Sequence, residues 1–265
     1  MNIIKRELHA NLKSLVIWSL AMIFLVYVGM VKYSAFSQAG QSINTLFEQM
    51  PPALLKIFAI EGLDLTKISA FYALFYLYFN LLGGIHASML GATIISKEER
   101  DKTADFLFVK PVQRTKIITG KVIAAVINVL ILNAVTCISS IVFIDMYNTG
   151  ETITPEVIRL IVALLFIQIV FLSIGFATSA VVSTTKRATG LVTFVLLTMF
   201  MISVGIDLNE DLSVLTFLTP FKYFSTKDVM YDAHYSLSSL LLVGLITCIG
   251  LGITYRVYPK KDLHV

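Results

Sequence analysis

Residues that could carry chemistry are few in this sequence, and none of them completes a catalytic motif. No G-x-x-x-x-G-K-[ST] nucleotide loop occurs, because the only Gly-Lys pair, Gly120-Lys121, is followed by Val122. Ser183 and Lys186 match S-x-x-K, but nothing else of that catalytic set is present. The histidines form no H-E-x-x-H pair, and they lie in four separate segments, at His9, His86, His234 and His264. We therefore expect a chain that is not an enzyme and that holds no metal or cofactor.

Polar and aromatic side chains inside the long apolar stretches are the remaining candidates. These stretches contain no Asp or Glu, and an ion-driven carrier usually needs such a group at membrane depth, so proton coupling is disfavoured. The uncharged polar residues either hydrogen-bond between helices or line a substrate path, and the aromatic residues form an interfacial belt or an exit. The candidate path residues are Phe75, Tyr76, Asn80, His86, Asn128, Asn133 and Gln168.

The composition indicates which elements must position these residues. Of the 265 residues, 57% are hydrophobic and 14% are charged, against about 45–50% and about 25% in soluble domains. So much apolar surface must face lipid, which an apolar helix of about 17–25 residues can cross. The sequence predicts an all-α membrane protein, a single domain over residues 1–265, with six spans at about 15–31, 68–95, 122–144, 157–182, 189–206 and 237–255.

Small residues recur at four-residue spacing in two of these spans. In membrane helices, such spacing lets two backbones approach closely. Close helix contacts are therefore predicted on two faces, one of Gly84, Ser88 and Ala92 and the other of Gly244, Cys248 and Gly252.

Basic residues predict the orientation of the spans. Fifteen of the 21 Lys and Arg residues fall on the side that carries both termini and five on the other, with Arg159 near a span end. The positive-inside rule places the richer side in the cytoplasm. We expect a multi-pass protein of the cell membrane with both termini cytoplasmic.

Residues 1–14 carry an apolar stripe of Ile4, Leu8 and Leu12 between charged residues. This pattern predicts an amphipathic interfacial helix on the cytoplasmic leaflet, and the alternative is an ordinary polar tail. A cleaved signal peptide is disfavoured because the polar lead contains Glu7 and the apolar run that follows is too long.

The connection between spans 2 and 3, residues 96–121, holds seven basic and four acidic residues. Ser96 and Glu99 match a capping box, and Pro111 ends the helix that they would begin. A short cytoplasmic helix of mixed charge suits docking onto a soluble partner. A solvated loop that only sets the topology is equally compatible with the composition.

Two external segments complete the chain. In residues 32–67, apolar residues at helical spacing are interrupted by Pro51-Pro52, which predicts short interfacial helices. Before span 6, the apolar run 212–218 is too short to cross the bilayer. A re-entrant or interfacial segment is predicted there.

The order of these features resembles the ABC-2 type permease family of ABC transporters. That family has a Glu, a Gly-Thr, a Leu, a Pro-x-x-Arg and a Lys that leads into the next span. Here the connection reads Ser96-Lys-Glu-Glu99-Arg-Asp-Lys-Thr103, Leu107, Pro111-Val112-Gln-Arg114 and Lys121. Lys102 stands where the family commonly has Gly, and the stretch Pro220-Phe-Lys-Tyr223-Phe224 is also similar to the family pattern.

The resemblance implies a permease subunit in the lipid bilayer. Its partners would be a separate ABC ATPase, which binds ATP and Mg, and a second permease, identical or related; no nucleic acid is involved. Residues 96–110 would form the coupling helix, and the turn at 183–188 a second contact. The ATPase-coupling residues so implied are Glu98, Glu99, Arg100, Thr103, Pro111, Arg114, Lys186 and Arg187.

Two functions remain open at this point. The leading interpretation is the membrane half of an ATP-driven exporter for an amphipathic or lipid-like compound, such as a drug or an antimicrobial peptide. The alternative is a membrane-anchored interaction or sensory protein whose loop docks a cytoplasmic partner without transport.

Overall fold

Long apolar helices make up most of the chain. The computed structural model describes residues 3–57, 62–97, 113–148, 150 and 152–261, apart from the side chain of Glu210. In chain order the helices are α1 (Ile3–Ala39), α2 (Gln41–Glu48), α3 (Pro52–Ile57), α4 (Ile68–Ile95), α5 (Arg114–Tyr147), α6 (Thr154–Val181), α7 (Thr185–Leu208), α8 (Thr226–Met230) and α9 (Leu237–Val257). Three 3₁₀ turns cover Glu210–Leu218, Pro220–Lys222 and Tyr258–Lys260.

Six of these helices are long and apolar enough to cross a membrane, namely α1, α4, α5, α6, α7 and α9. A helix satisfies its backbone hydrogen bonds internally, which is why an apolar chain adopts it in lipid. The prediction of an all-α membrane protein with six spans is confirmed.

The helices α4 and α6 form the centre of the bundle. They pack along each other, α1 packs along α5, and α9 and α7 pack against α6 and α4 respectively. Most residues of α4 and α6 are buried, whereas α7 and α9 turn most of their side chains outward. The outward faces are apolar, as expected for helices that border lipid.

Two glycines bring the backbones of α4 and α6 into contact. A Cβ atom added to Gly175 would lie 2.5 Å from the carbonyl oxygen of Ser88, and one on Gly91 would lie 2.4 Å from that of Leu172. The predicted small-residue face of α4 therefore lies in a close helix contact.

The small-residue face predicted on α9 has a different environment. No described atom lies within 4 Å of a Cβ position on Gly244 or Gly252, and Cys248 is exposed. The close contact of α9 is made instead by Gly250, where a Cβ would lie 2.8 Å from the carbonyl oxygen of Ser173.

The N-terminal segment differs from the predicted helix on the membrane surface. Residues 3–14 continue into the first span as one 37-residue helix, with no turn between them. Ile4 and Leu8 pack against the core and Glu7 is fully buried, while Leu12 is exposed. The apolar stripe is therefore covered partly by the protein itself.

Both ends of the described chain lie at the same end of the bundle. Ile3 contacts Gly120 near the start of α5. Arg114, six residues earlier, donates from Nη1 to the carbonyl oxygens of Pro259 (2.9 Å) and Lys261 (3.1 Å). We call this end, where α4 ends and α5 begins, the terminal end.

At the opposite end, the segment between α7 and α9 folds back into the bundle. Thr219 Oγ1 donates to the carbonyl oxygen of Met199 at 2.8 Å. Met199 lies nine residues before the end of α7 at Leu208, or about 14 Å along the helix axis. The ring of Phe221 lies 5.1 Å from that of Phe171, between centroids. The segment turns back towards the spans, and none of its described residues belongs to a helix long enough to be a seventh span; we call it the re-entrant segment.

Short polar contacts hold the outer segments in place. Asp64 Oδ1 accepts hydrogen bonds from Asn44 Nδ2 (2.6 Å) and Thr66 Oγ1 (2.6 Å). The bonds from Thr66 and Asn44 lower the pKa of Asp64, because they stabilise its charged form. Arg159 Nη2 donates to the carbonyl oxygen of Met230 at 2.8 Å. These contacts fix α2 and α8 against the spans.

Candidate functional site

Two lysines bind the carbonyl ends of the central helices at the terminal end. Lys121 is fully buried, and its Nζ lies 2.5 Å from the carbonyl oxygen of Ile94 in α4. Lys261 Nζ donates to the carbonyl oxygens of Ser179 (3.2 Å) and Val182 (2.8 Å), where α6 ends. The last carbonyls of a helix lack partners within it and carry partial negative charge. A cation therefore stabilises each of these helix ends.

Ser96 joins the end of α4 to the start of α7. Its Oγ donates to the carbonyl oxygen of Ala92 at 3.0 Å and accepts from Thr185 Oγ1 at 2.8 Å. Its backbone, with φ −93° and ψ 11°, is that of a residue that ends a helix. The structure thus uses Ser96 to close α4, and Glu99, the other half of the predicted capping box, lies outside the described residues.

A buried carboxylate joins α1 to the start of the connection between spans 2 and 3. Glu7 is fully buried and pairs with Arg6 at 2.6 Å and Lys97 at 3.5 Å. The sequence analysis did not identify Glu7 as a site residue. The signal was present, because Glu7 shares a helix face with Ile4 and Leu8, and a carboxylate on an apolar face is usually paired.

The predicted ATPase-coupling residues fall into three groups. Arg114 binds the C-terminal carbonyls within the chain. Lys186 and Arg187 are exposed at the start of α7, which Thr184 caps by accepting from the backbone N–H of Arg187 at 3.4 Å. The others lie outside the described residues, namely Glu98, Glu99, Arg100, Thr103 and Pro111.

Three of the candidate path residues are occupied by hydrogen bonds between or within helices. Asn133 of α5 donates from Nδ2 to Gln168 Oε1 of α6. Gln168 Nε2 in turn reaches the carbonyl oxygen of Gly83 in α4 at 3.5 Å. Asn128 Nδ2 donates to the carbonyl oxygen of Ala124 in its own helix at 2.8 Å. These contacts favour a packing role, since they join the three central helices.

Two others pack against α1. His86 is buried, with its ring 5.5 Å from that of Trp18 in an edge-to-face arrangement. Phe75 lies so close to Gly29 that a Cβ there would be 2.8 Å from the ring. Phe75 also borders an apolar cavity of about 340 Å³, with Lys32 among its lining residues.

A second, larger cavity lies at the end of the bundle opposite to the terminal end, which we call the outer end. Of the candidate path residues, only Tyr76 and Asn80 line this cavity. Its volume is about 700 Å³, within the range of about 300–1,000 Å³ that is usual for small-molecule sites. Both side chains are buried, and Tyr76 OH and Asn80 Oδ1 have no hydrogen-bond partner in the part of the chain that the structure describes. The re-entrant segment contributes Phe221 and Phe224 to the same wall.

Charged residues also line this cavity, and the sequence analysis did not find them. Lys56 comes from α3, Lys222 and Lys227 come from the segment between α7 and α9, and Asp207 forms an ion pair with Lys222. No sequence pattern joins these lysines, because the fold alone brings them together. Within the described ranges, no three His, Cys, Asp or Glu side chains are grouped so as to hold a metal ion.

A family model described as "ABC-2 family transporter protein" matches residues 1–263. No curated protein matches the chain.

Proposed function

Because the chain belongs to the ABC-2 transporter family and is a permease subunit of an ABC transporter, we propose that it forms the membrane half of an ATP-driven exporter. A separate ABC ATPase would bind ATP and Mg, and a second permease, identical or related, would complete the membrane domain. The substrate would be an amphipathic or lipid-like compound, such as a drug or an antimicrobial peptide.

The terminal end supports the proposal that the ATPase docks there. Lys97 and Gln113, the described residues on either side of the connection, lie at this end together with the exposed Lys186 and Arg187. Lys121, Lys261 and Glu7 tie the underlying helices to one another. A force applied to the connection would therefore reach α1, α4 and α6 directly, which coupling to ATP hydrolysis requires.

The outer cavity supports a role in substrate release. It is the one candidate region in which two predicted path residues, Tyr76 and Asn80, border a described cavity of ligand size. It lies at the end opposite to the proposed ATPase contact, as the release site of an exporter would.

Orientation can be tested by labelling, in a variant in which Cys137 and Cys248 are replaced by serine. Asp211 and Lys186 are both exposed and lie at opposite ends of the bundle. We expect a cysteine at Asp211, but not one at Lys186, to react with a membrane-impermeant maleimide in intact cells, because the positive-inside rule places Lys186 in the cytoplasm. After permeabilisation both should react. Labelling of Lys186→Cys in intact cells would reverse the orientation.

ATPase binding is tested by co-purification with substitutions at Glu99. The wild-type chain is expected to co-elute with an ABC ATPase in gentle detergent. Glu99→Lys should weaken the complex, because loss of a buried interfacial charge pair costs about 2–5 kcal/mol. Glu99→Gln, which keeps the shape and the hydrogen-bonding capacity, should weaken it less.

One result would contradict the exporter proposal. If no ABC ATPase co-elutes from several gentle detergents, the membrane-anchored interaction or sensory protein becomes the better interpretation. If the ATPase co-elutes equally with wild type and with both variants, only the proposed role of Glu99 in the contact is contradicted. Equal amounts of the three chains in the membrane fraction serve as the control for insertion.

A further inference from the structure

The outer cavity combines basic side chains, which can bind an anion, with apolar side chains, which can bind the hydrocarbon part of a ligand. Three lysines and one aspartate line it, so that the charges of its described lining sum to +2. Asp207 is already paired with Lys222. For Lys56 and Lys227 the structure records no ion pair with any described residue.

The two lysines differ in exposure, since Lys56 is half-buried and Lys227 is exposed. Both can pair with an anion at the outer end, and water and salt screen this attraction in part.

The deeper wall of the cavity is suited to the neutral part of a ligand. Tyr76 and Asn80 lie eight and twelve residues into α4, or about 12 and 18 Å along the axis from its outer end. The Tyr76 hydroxyl, which has no hydrogen-bond partner among the described residues, can donate to an ester carbonyl oxygen of the linker. The other residues of this wall are apolar, among them Ala73, Leu77 and Phe221.

We propose that this cavity binds an amphiphile with an anionic phosphate headgroup, such as a phospholipid, with the headgroup on Lys56 and Lys227 and the linker at Tyr76 and Asn80. The assignment rests on the proposed function, since it specifies the substrate class of the exporter. It also predicts selectivity: a zwitterionic headgroup would bring its own cation against the two lysines and would bind less tightly.

The test measures binding to the full-length chain in phosphatidylcholine nanodiscs, with empty nanodiscs as the blank. The probes are dihexanoyl phosphatidate, dihexanoyl phosphatidylcholine and inorganic phosphate, titrated calorimetrically. We expect the phosphatidate to bind at least about tenfold more tightly than the phosphatidylcholine, and inorganic phosphate alone to bind much more weakly than either. Each loss of a charged contact is expected to weaken affinity by about tenfold.

Substitutions locate the binding. Lys56→Gln and Lys227→Gln should each weaken phosphatidate binding, and the double variant should abolish the preference for phosphatidate. Lys67→Gln is the matched control, because Lys67 is an exposed lysine at the same end that does not line the cavity. Tyr76→Phe should weaken both lipid probes, since it removes a hydrogen bond to the ester linker that they share.

Three results would overturn the proposal. They are equal binding of the two lipid probes to wild type, unchanged phosphatidate binding by the double lysine variant, and binding of inorganic phosphate as tight as that of phosphatidate. The last result would identify a site for free anions. No ATPase is present in this assay, so its outcome is independent of the co-purification that tests the exporter proposal.

Discussion

Replacing Gly175 with alanine is expected to lower the stability of the folded chain. Among the described glycines, only Gly91 offers an added Cβ less room. The added Cβ would lie 2.5 Å from the carbonyl oxygen of Ser88, 2.9 Å from the backbone nitrogen of Ala92 and 3.0 Å from Gly91 Cα. All three are backbone atoms, so α4 and α6 would have to move apart to accept it. Overpacking of this kind costs about 1–3 kcal/mol. Thermal midpoints of the detergent-solubilised chain, followed by size-exclusion chromatography after heating, would measure the loss.

The control for Gly175→Ala is Gly190→Ala in α7, where no described atom lies within 4 Å of the added Cβ. An alanine there should leave the midpoint unchanged or raise it slightly, because alanine favours a helix over glycine by about 0.5–1 kcal/mol. Gly91→Ala belongs to the same contact as Gly175→Ala, so the double variant should lose less than the sum of the two. Equal midpoints for Gly175→Ala and Gly190→Ala would show that the two backbones do not meet in this way.

The second large effect is expected at the buried ion pair of the terminal end. Glu7→Ala leaves Lys97 without its partner in α1 and opens a space where Glu7 was fully buried. Removal of one member of a fully buried pair costs about 3–5 kcal/mol, and a smaller loss is expected here because the side chain of Lys97 is 22% exposed. Glu7→Gln keeps the volume and should cost less. The readout is the thermal midpoint of the detergent-solubilised chain.

Glu48→Ala is the matched control, because Glu48 is an exposed glutamate in the short helix α2. Exposed substitutions of this kind stay within about 0.5 kcal/mol. The double variant Glu7→Leu, Lys97→Met should recover part of the loss, since apolar residues can replace a buried ion pair. A Glu7→Ala midpoint equal to that of Glu48→Ala would mean that the carboxylate is not buried in the folded protein.

The six spans were predictable because a single property of the sequence determines them. An apolar run of sufficient length can satisfy its backbone in lipid only as a helix, and each of the six runs forms one. The exact extent of α1 was not predicted. Its residues 3–39 contain no proline and a single glycine, Gly29, so no strong helix breaker ends the helix at the membrane surface. The expected turn after residue 14 is therefore missing.

The candidate site was predictable only in part. Tyr76 and Asn80 could be proposed because polar residues at membrane depth are rare and stand out in an apolar run. Asn133 and Gln168 were proposed for the same reason, but the structure pairs them with each other. The partners of Glu7 and the lysines of the outer cavity depend on which distant segments meet, which one sequence does not reveal.

The two ends of α9 are both fastened to α6. At the outer end, Tyr235 OH, two residues before α9, donates to the carbonyl oxygen of Arg159 at 2.9 Å. At the terminal end, Lys261 holds the carbonyls of Ser179 and Val182. Neither axial sliding nor rotation of α9 can occur without breaking one of these bonds. Together with the close contact of Gly250 with Ser173, they join α6 and α9 at both ends and in the middle, so that we expect the two helices to move as a unit.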